Sequence, residues 1–196
     1  MPQTDSSTRV QPISPPYPEG VEKALNQASP RWRDSEPLTL FRVWARHPRL
    51  GGALGPVGNF LLNEGEVEAA DRELIILRTC AKAGAEYEWG VHAAGYSPRS
   101  GLSPATIEAT VCLETGDSSW SKRERLLLRL VDEFEECIDV SDVLWAELVE
   151  RWTEPQILEL LLIAGFYRFV AFTARATRTP LESWAPRFPR MNLFAK

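Results

Sequence analysis

The chain has few of the residues that metal centres and disulfide frameworks require. Its 196 residues include two histidines, His47 and His92, and three cysteines, none of which form a C-x-x-C pair. Structural zinc sites use several closely spaced His and Cys ligands, and disulfide frameworks use an even set of cysteines. We therefore predict no metal site, and three reduced thiols at Cys80, Cys112 and Cys137.

The chain also lacks a cluster of basic residues and a long apolar run. Its formal charge is -5 at pH 7, which argues against nucleic acid or an anionic membrane as the main partner. No stretch of about 18 uncharged apolar residues occurs, and the first seven residues are polar, unlike a secretion signal. We expect a cytoplasmic protein whose partner is a small-molecule substrate or another protein.

The sequence shows no period-two alternation that would predict β-strands. Apolar residues instead recur at three- and four-residue steps, most clearly between Leu126 and Ile138, where Ser121 and Glu124 form a capping box just before the repeat. The predicted class is all-α. The predicted helices cover residues 38–46, 54–63, 69–82, 85–94, 104–112, 122–138, 142–152 and 157–174.

Proline separates the chain into three predicted parts. Residues 1–37 hold seven of the fifteen prolines and are predicted to form an extended arm outside the core, with one short helix near residues 21–27. Residues 38–182 form the helical domain, in which the His47-Pro48 step is predicted to end the first helix. Residues 183–196 form a non-helical tail whose aromatic residues, including Phe188 and Phe194, need a surface to cover. A neighbouring chain is one candidate for that surface.

The segment 157–174 is apolar almost all round and is interrupted by Gly165, Tyr167 and Arg168. A helix without a polar face is either central in a fold or shared between subunits, which predicts a homo-oligomer. Among apolar neighbours Arg168 must pair with an acid, reach solvent or bind a substrate carboxylate, because an unpaired buried charge is costly.

The principal candidate site is formed by Glu88 and His92, which share one helix face at spacing i, i+4. A preceding helix that folds back would bring Glu73 to the same place. A neighbouring carboxylate raises the pKa of an imidazole and burial lowers it, so we expect the pKa of His92 to lie near neutrality, as general acid/base catalysis requires. The alternatives are a solvated Glu88/His92 pair and a structural ion pair of Glu73 with Arg72 or Arg78.

Four segments resemble the carboxymuconolactone decarboxylase family, which includes the alkylhydroperoxidase D-like proteins. They are residues 72–78, 87–92, 101–103 and 165–167, and the resemblance extends over roughly residues 38–182. It implies an all-α, alkylhydroperoxidase D-like helical bundle that assembles into oligomers with sites near subunit contacts.

In the peroxidase branch of this family the resemblance would place two redox cysteines at Ala85 and Glu88, where this chain has neither. Without two thiols no disulfide can form and be reduced, so hydroperoxide reduction by that route is not available. Glu73 and His92 are retained, and the decarboxylase branch works without a cofactor.

We therefore predict a cofactor-independent lyase or isomerase acting on a small lactone, carbonyl or carboxylic acid. His92 and Glu73 would exchange protons with the substrate, and Glu88 would orient or charge His92. The predicted substrate-binding residues are Tyr87, Trp89 and Arg168.

Two alternatives to this function remain open. One is a non-catalytic helical oligomer used for binding or assembly, in which arginines neutralise the site. The other is thiol-dependent, peroxidase-like redox activity through Cys80, which requires a low thiol pKa.

Overall fold

The computed structural model describes residues 8–28 and 36–189. Within these two ranges every regular element is helical and no strand occurs, so the predicted all-α class is confirmed. The chain divides into two compact units. The predicted bounds of the arm, the helical domain and the tail stay predictions.

The first unit consists of Met1–Gly65 and Thr173–Ser183. Its helices are α1 (Glu19–Ala28), α2 (Thr39–Trp44) and α3 (Pro48–Asn59), which ends in a π-helical turn at Phe60–Glu64. The short helix predicted near residues 21–27 is therefore present, as α1.

Part of the proline-rich arm packs into a core. Val21 and Leu25 lie one turn apart on α1 and are buried together with Ala45, and residues of the arm and of α2 pack against this cluster: Ile13, Tyr17 and Phe41. The prediction that the arm stays outside the core is wrong here, because one amphipathic turn between the prolines suffices to bury apolar side chains.

His47 begins a helix instead of ending one. Helix α2 already stops at Trp44, and the Nδ1 atom of His47 accepts a hydrogen bond from the backbone N–H of Leu50 at 3.3 Å. Pro48 occupies the first turn of α3, where its missing N–H has no intrahelical partner to lose. The helix predicted from residue 54 consequently starts at residue 48.

The second unit consists of Glu66–Phe172 and Trp184–Lys196. Helix α4 packs against each of the next four helices. The helices that contribute to this unit are α4 (Ala69–Lys82), α5 (Glu86–Gly95), α6 (Ser97–Ser100), α7 (Pro104–Cys112), α8 (Lys122–Cys137), α9 (Asp142–Val149) and α10 (Glu154–Thr177). The short α6 was not predicted; α4 and α7 have the predicted bounds.

Helices α4 and α5 form the hairpin that carries the candidate site. Gly84 adopts a φ of 63°, a left-handed conformation that glycine reaches without steric cost, and it reverses the chain between the two helices. The backbone N–H of Ala85 then donates to the carbonyl of Cys80 at 2.8 Å and closes the turn.

Helix α10 is, among the described residues, the one helix long and apolar enough to cross a membrane by length and composition alone. Half of the relevant stretch is buried within the structure, and core helices of soluble proteins meet the same criterion. Glu159 of this helix accepts hydrogen bonds from the backbone N–H groups of Glu66 and Val67, the shortest at 2.7 Å, so its carboxylate serves the fold.

The beginning of the C-terminal tail packs against its own chain. The Phe188 ring lies 5.4 Å from the Trp89 ring, and the Phe188 backbone N–H donates to Glu86 Oε1 at 2.9 Å. Phe188 therefore packs on α5 of its own chain, and not on a neighbouring chain. Phe194 lies outside the described residues.

Candidate active site

The structure brings the three predicted catalytic residues into direct contact. Nδ1 of His92 donates to Glu73 Oε2 at 2.8 Å, and Nε2 of His92 lies 3.4 Å from Glu88 Oε1. Glu73 comes from α4 and the other two residues from α5, so the hairpin predicted from the sequence creates the cluster. The Glu73 and His92 side chains are buried, whereas that of Glu88 is 10% exposed.

The two carboxylates keep His92 charged. Burial lowers its pKa, but the attraction of Glu73 and the hydrogen bonds to Glu73 and Glu88 outweigh burial and raise the pKa from 6.5 to about 9. The expectation of a pKa near neutrality is therefore wrong, because two carboxylates contact the ring where the sequence argument weighed only one. At neutral pH His92 is an imidazolium and can donate a proton.

Glu73 is engaged on both carboxylate oxygens. Arg72 Nε donates to Oε1 at 3.3 Å, and the buried Ser97 Oγ donates to Oε2 at 3.4 Å beside the contact with His92. Ser97 begins α6, and only Tyr96 lies between it and the end of α5. Glu73 is thus the fully buried carboxylate that positions His92 and raises its pKa, and Glu88 is the more accessible carboxylate.

Arg78, the other arginine considered as a partner of Glu73, has a structural role instead. Its Nε and Nη2 atoms each donate to the Asp132 carboxylate at 3.0 Å, and Nη1 donates to the carbonyls of Thr110 and Leu113 at 3.2 and 2.9 Å. One buried guanidinium therefore joins α4 to α8 and to the end of α7.

Two tyrosines fix the orientation of the imidazole. The Tyr96 ring stacks on His92 with centroids 4.5 Å apart and planes 19° apart, and the Tyr167 ring meets it edge-on at 4.9 Å. Burial, with Glu88 and Glu73 nearby, raises the pKa of Tyr167, so its phenol stays neutral. A stacked aromatic face also favours a cationic ring.

Sequence reasoning missed Tyr96, Ser97 and Tyr167 as site residues. Tyr167 did carry a signal, because it is a polar aromatic residue in an otherwise apolar helix. Ser97 and Tyr96 lie at the α5/α6 junction, which no periodic pattern identifies.

Two of the predicted substrate-binding residues are buried in α5. The indole N–H of Trp89 donates to Thr110 Oγ1 at 3.0 Å, and its ring contacts Phe188, so Trp89 is used in packing the helix. This arrangement does not support substrate binding by the Trp89 N–H group. Tyr87 is buried as well, and its role in substrate binding stays a prediction.

Arg168 forms an ion pair with an acidic residue and is also exposed to solvent. Its Nη1 atom lies 3.1 Å from Glu135 Oε2, and its side chain is 45% exposed. These are two of the three outcomes expected for a charged residue in this apolar helix, and the third, a substrate carboxylate, stays a prediction. The pairing with Glu135 removes the need for a substrate carboxylate as counter-charge.

Cys80 lacks the properties of a redox thiol. It is fully buried, and burial together with Glu88, Glu73 and Glu135 raises its pKa well above the ordinary value. Because the thiolate is the reactive form, these surroundings contradict the alternative of redox catalysis through Cys80. Cys80, Cys112 and Cys137 are all free thiols.

Across residues 8–28 and 36–189 no three His, Cys, Asp or Glu side chains are grouped in a way that would hold a metal ion.

No protein-family model matches the sequence, and no curated protein matches it. Solved structures do match the fold. An uncharacterized peroxidase-related protein from Silicibacter sp. TM1040 has a TM-score of 0.78 at 18% identity, with 96% of this chain and 100% of that chain covered.

Two further structures match over most of their length. An uncharacterized peroxidase-related protein with an alkylhydroperoxidase AhpD core, from Ralstonia eutropha JMP134, has a TM-score of 0.73 at 15% identity, covering 89% of this chain and 93% of that one. A variant of the debrominase Bmp8 in complex with 2,3,4-tribromopyrrole has a TM-score of 0.71 at 16% identity, covering 91% and 94%. The chain therefore has the alkylhydroperoxidase D-like fold, as its motifs predicted, with Ala85 and Glu88 in place of the redox cysteines.

Proposed function

We propose that this chain is a cofactor-independent acid/base enzyme acting on a small lactone, carbonyl or carboxylic acid substrate as a decarboxylase, another lyase or an isomerase. The proposal rests on one observation, the buried His92 imidazolium held between Glu73 and Glu88. The debrominase with the same fold, bound to a small heteroaromatic compound, supports a small-molecule site in this architecture.

His92 Nε2 is the proton donor in this mechanism. Nδ1 is committed to Glu73 at 2.8 Å, whereas the contact of Nε2 with Glu88 is longer, at 3.4 Å, and is the one that a substrate can replace. Glu73 keeps its contact with Nδ1 throughout and stabilises the imidazolium. This revises the predicted division of labour: Glu73 charges and positions His92, and Glu88 faces the substrate with it.

For a β-keto acid the step balances without a cofactor. The bond between the α-carbon and the carboxylate breaks, CO₂ leaves, and the electron pair forms an enolate. The Nε2–H bond of His92 then breaks as its proton moves to the α-carbon, and the neutral ring recovers a proton from solvent. Before transfer the positive ring stabilises the developing enolate charge electrostatically.

Isomerisation uses the same groups in a different order. Glu88 removes a proton from the carbon next to a carbonyl, and His92 returns one at the neighbouring position. Both schemes need the imidazolium.

The first test is turnover of lactone and β-keto acid substrates by His92→Ala and Glu73→Gln. General acid catalysis contributes typically about 10²- to 10⁴-fold, so we expect a kcat loss in that range for His92→Ala and a smaller loss for Glu73→Gln. His47→Asn, which changes the other histidine at an exposed helix cap, and Glu108→Gln on the exposed side of α7 are matched controls. Unchanged turnover in both site variants would discard the mechanism.

A non-catalytic protein that uses the fold for binding or assembly is the second candidate. The contact of Arg72 Nε with Glu73 Oε1 at 3.3 Å favours it, because an arginine neutralising Glu73 is what a structural ion cluster requires. In that case His92→Ala and Glu73→Gln lower the free energy of unfolding, and no substrate of either class is turned over by the unmodified protein.

A further inference from the structure

The Tyr167 side chain places a hydroxyl group beside His92. Tyr167 is only 3% exposed, and its ring meets the imidazole edge-on with centroids 4.9 Å apart. The Phe166 ring also contacts the Tyr167 ring, with centroids 5.6 Å apart and planes at 84°. Two ring contacts therefore hold the phenol next to the charged imidazole.

The Tyr167 hydroxyl has no hydrogen-bond partner among residues 8–28 and 36–189. Buried tyrosine hydroxyls usually find one, because an unpaired polar group in the interior costs free energy. The Glu73 carboxylate at the same imidazole is, in contrast, contacted by three groups: His92, Arg72 and Ser97. Tyr167 thus contributes an unused donor to this cluster.

The space beside this hydroxyl admits another atom. Within the described part of the chain, the side-chain polar atoms that are fully shielded and make no hydrogen bond belong to residues other than Tyr167. The unpaired Tyr167 oxygen is therefore not fully shielded, and an atom of the size of a water oxygen can contact it. A substrate oxygen is such an atom.

The hydroxyl lies toward the Nε2 end of the imidazole. Burial raises the pKa of Tyr167 most, and the Glu88 carboxylate raises it more than Glu73 does, although Glu73 is the more deeply buried of the two. Since charges interact more strongly in the interior and at short range, the phenol oxygen lies nearer to Glu88. Glu88 contacts Nε2, the proton-donating atom of His92, so a single substrate can reach both donors.

The phenol is a donor that keeps its own proton. Burial, together with the nearby Glu88 and Glu73, holds the pKa of Tyr167 well above its usual range. A neutral hydroxyl fixed in this way can donate a hydrogen bond to an oxygen on which negative charge develops.

An enolate requires contacts at two atoms. Its negative charge is shared between the carbonyl oxygen and the α-carbon, and Nε2 of His92 must reach the carbon to protonate it. The oxygen then needs a donor of its own, because one N–H group cannot bond to the oxygen and protonate the carbon at the same time. The unpaired phenol beside His92 meets this need.

We propose that Tyr167 is a further catalytic residue, whose hydroxyl donates a hydrogen bond to the substrate carbonyl oxygen and to the enolate oxygen formed from it. This inference rests on the proposed function and narrows its substrate class to compounds with a carbonyl group directly beside the reacting carbon, such as a β-keto acid. The phenol proton stays on Tyr167. The Nε2–H bond of His92 breaks, and a C–H bond forms at the α-carbon.

Tyr167→Phe removes the hydroxyl and keeps the ring that contacts His92. Loss of one donor to a developing oxyanion typically lowers kcat by about 10²- to 10³-fold, and we expect a loss in that range for a β-keto acid. The pH at which kcat/KM declines should not move, because both carboxylates that raise the pKa of His92 remain. Tyr17→Phe is the matched control, since it removes a buried hydroxyl without a hydrogen bond from the first unit.

Urea unfolding separates this role from a structural one. Because the Tyr167 hydroxyl has no hydrogen bond within the described residues, Tyr167→Phe should unfold at the same urea concentration as the unmodified chain or at a higher one. A lower unfolding midpoint would mean that the hydroxyl stabilises the fold, and it overturns the proposal.

Binding of 4-nitrophenolate tests the donor without turnover. At a pH between the pKa of 4-nitrophenol and that of His92, the probe carries its negative charge on oxygen, as an enolate does, and His92 is still protonated. Absorbance of the probe gives its Kd. Hydrogen bonds to charged groups are strong, so Tyr167→Phe should raise this Kd by roughly 10- to 100-fold, and Tyr17→Phe should leave it unchanged.

The results distinguish this inference from the proposed function. If His92→Ala loses activity and Tyr167→Phe keeps the kcat of the unmodified chain, the inference is overturned and the acid/base function stands. If the unmodified chain turns over neither substrate class, the proposed function fails and the binding of 4-nitrophenolate decides on the hydroxyl. Equal Kd values for Tyr167→Phe and the unmodified chain, or no binding to either, then overturn the inference.

Discussion

His92 Nδ1 and Glu73 Oε2 lie 2.8 Å apart in the interior, although the two residues are nineteen positions apart in the chain. The contact exists because Gly84 reverses the chain between α4 and α5, and Ser97 and Arg72 then hold the carboxylate in place. Because this ion pair joins two helices, it should affect the stability of the fold, the pKa of His92 and the proposed activity. Changing one of its residues tests all three.

The stability of the fold should fall as pH rises toward 9. His92 has a pKa of about 9 when folded and about 6.5 when unfolded, so the folded state binds its proton more tightly. The resulting stabilisation is complete below pH about 6.5 and is lost as pH rises through 9, an amount on the order of 3 kcal/mol. Urea unfolding at pH 6.5, 7.5, 8.5 and 9.5 measures it.

Glu73→Gln is the control for this pH dependence. Removing the carboxylate that most raises the pKa of His92 should flatten the decline between pH 6.5 and 9. A decline as steep in Glu73→Gln as in the unmodified chain would show that other groups cause it.

The activity should decline through the same pH range. If the His92 imidazolium is the acid, kcat/KM for the free enzyme falls as pH passes the pKa of about 9. Glu73→Gln should move this decline to lower pH, whereas His47→Asn should leave it in place. A pH profile that is identical in Glu73→Gln and the unmodified enzyme would separate catalysis from this ion pair.

The three thiols should differ strongly in reactivity. Cys80 is buried with a raised pKa, whereas Cys112 and Cys137 are exposed. Iodoacetamide at pH 8 should therefore modify the two exposed cysteines in the native chain and reach Cys80 only after denaturation. Mass spectrometry of peptides from native and denatured samples gives the result, and rapid native alkylation of Cys80 would restore the redox hypothesis.

Helices α4, α7 and α8 follow from the sequence because local signals and packing agree there. Ser103 and Ser121 cap α7 and α8 as predicted. A serine just before an apolar repeat is a strong signal for the first residue of a helix, because its hydroxyl can accept a hydrogen bond from a backbone N–H of the first turn. The start of α3 was missed because His47 acts as its cap, a role that propensity assigns to other residue types.

The candidate site was predictable where it depends on helix spacing, and not where it depends on junctions. Glu88 and His92 meet through their i, i+4 spacing, and the hairpin supplies Glu73. Ser97 and Tyr96 contact the same groups through the α5/α6 junction, whose geometry no repeat encodes. The charge of His92 was misjudged for a related reason, because burial and the number of contacting carboxylates are tertiary properties.

Gly90→Ala should displace the C-terminal tail from α5. A Cβ at Gly90 would overlap the backbone carbonyl oxygen of Pro186 and also crowd the Ala185 side chain. Because the obstructing atom is backbone, it cannot rotate away, and we expect a loss of about 1–3 kcal/mol in the free energy of unfolding. Gly52→Ala, in α3 with nothing within 4 Å, should instead gain about 0.5–1 kcal/mol.

A double-mutant cycle with Phe188→Ala identifies the tail as the cause. If Gly90→Ala already detaches the tail, the contact of Phe188 with Trp89 at 5.4 Å is lost in that variant, and adding Phe188→Ala costs little more. If the losses in the free energy of unfolding are additive, the tail stays bound and α5 itself is displaced. Because α5 carries Glu88 and His92, the second outcome should also shift the pH at which activity declines, whereas a detached tail with an undisturbed helix should leave that pH unchanged.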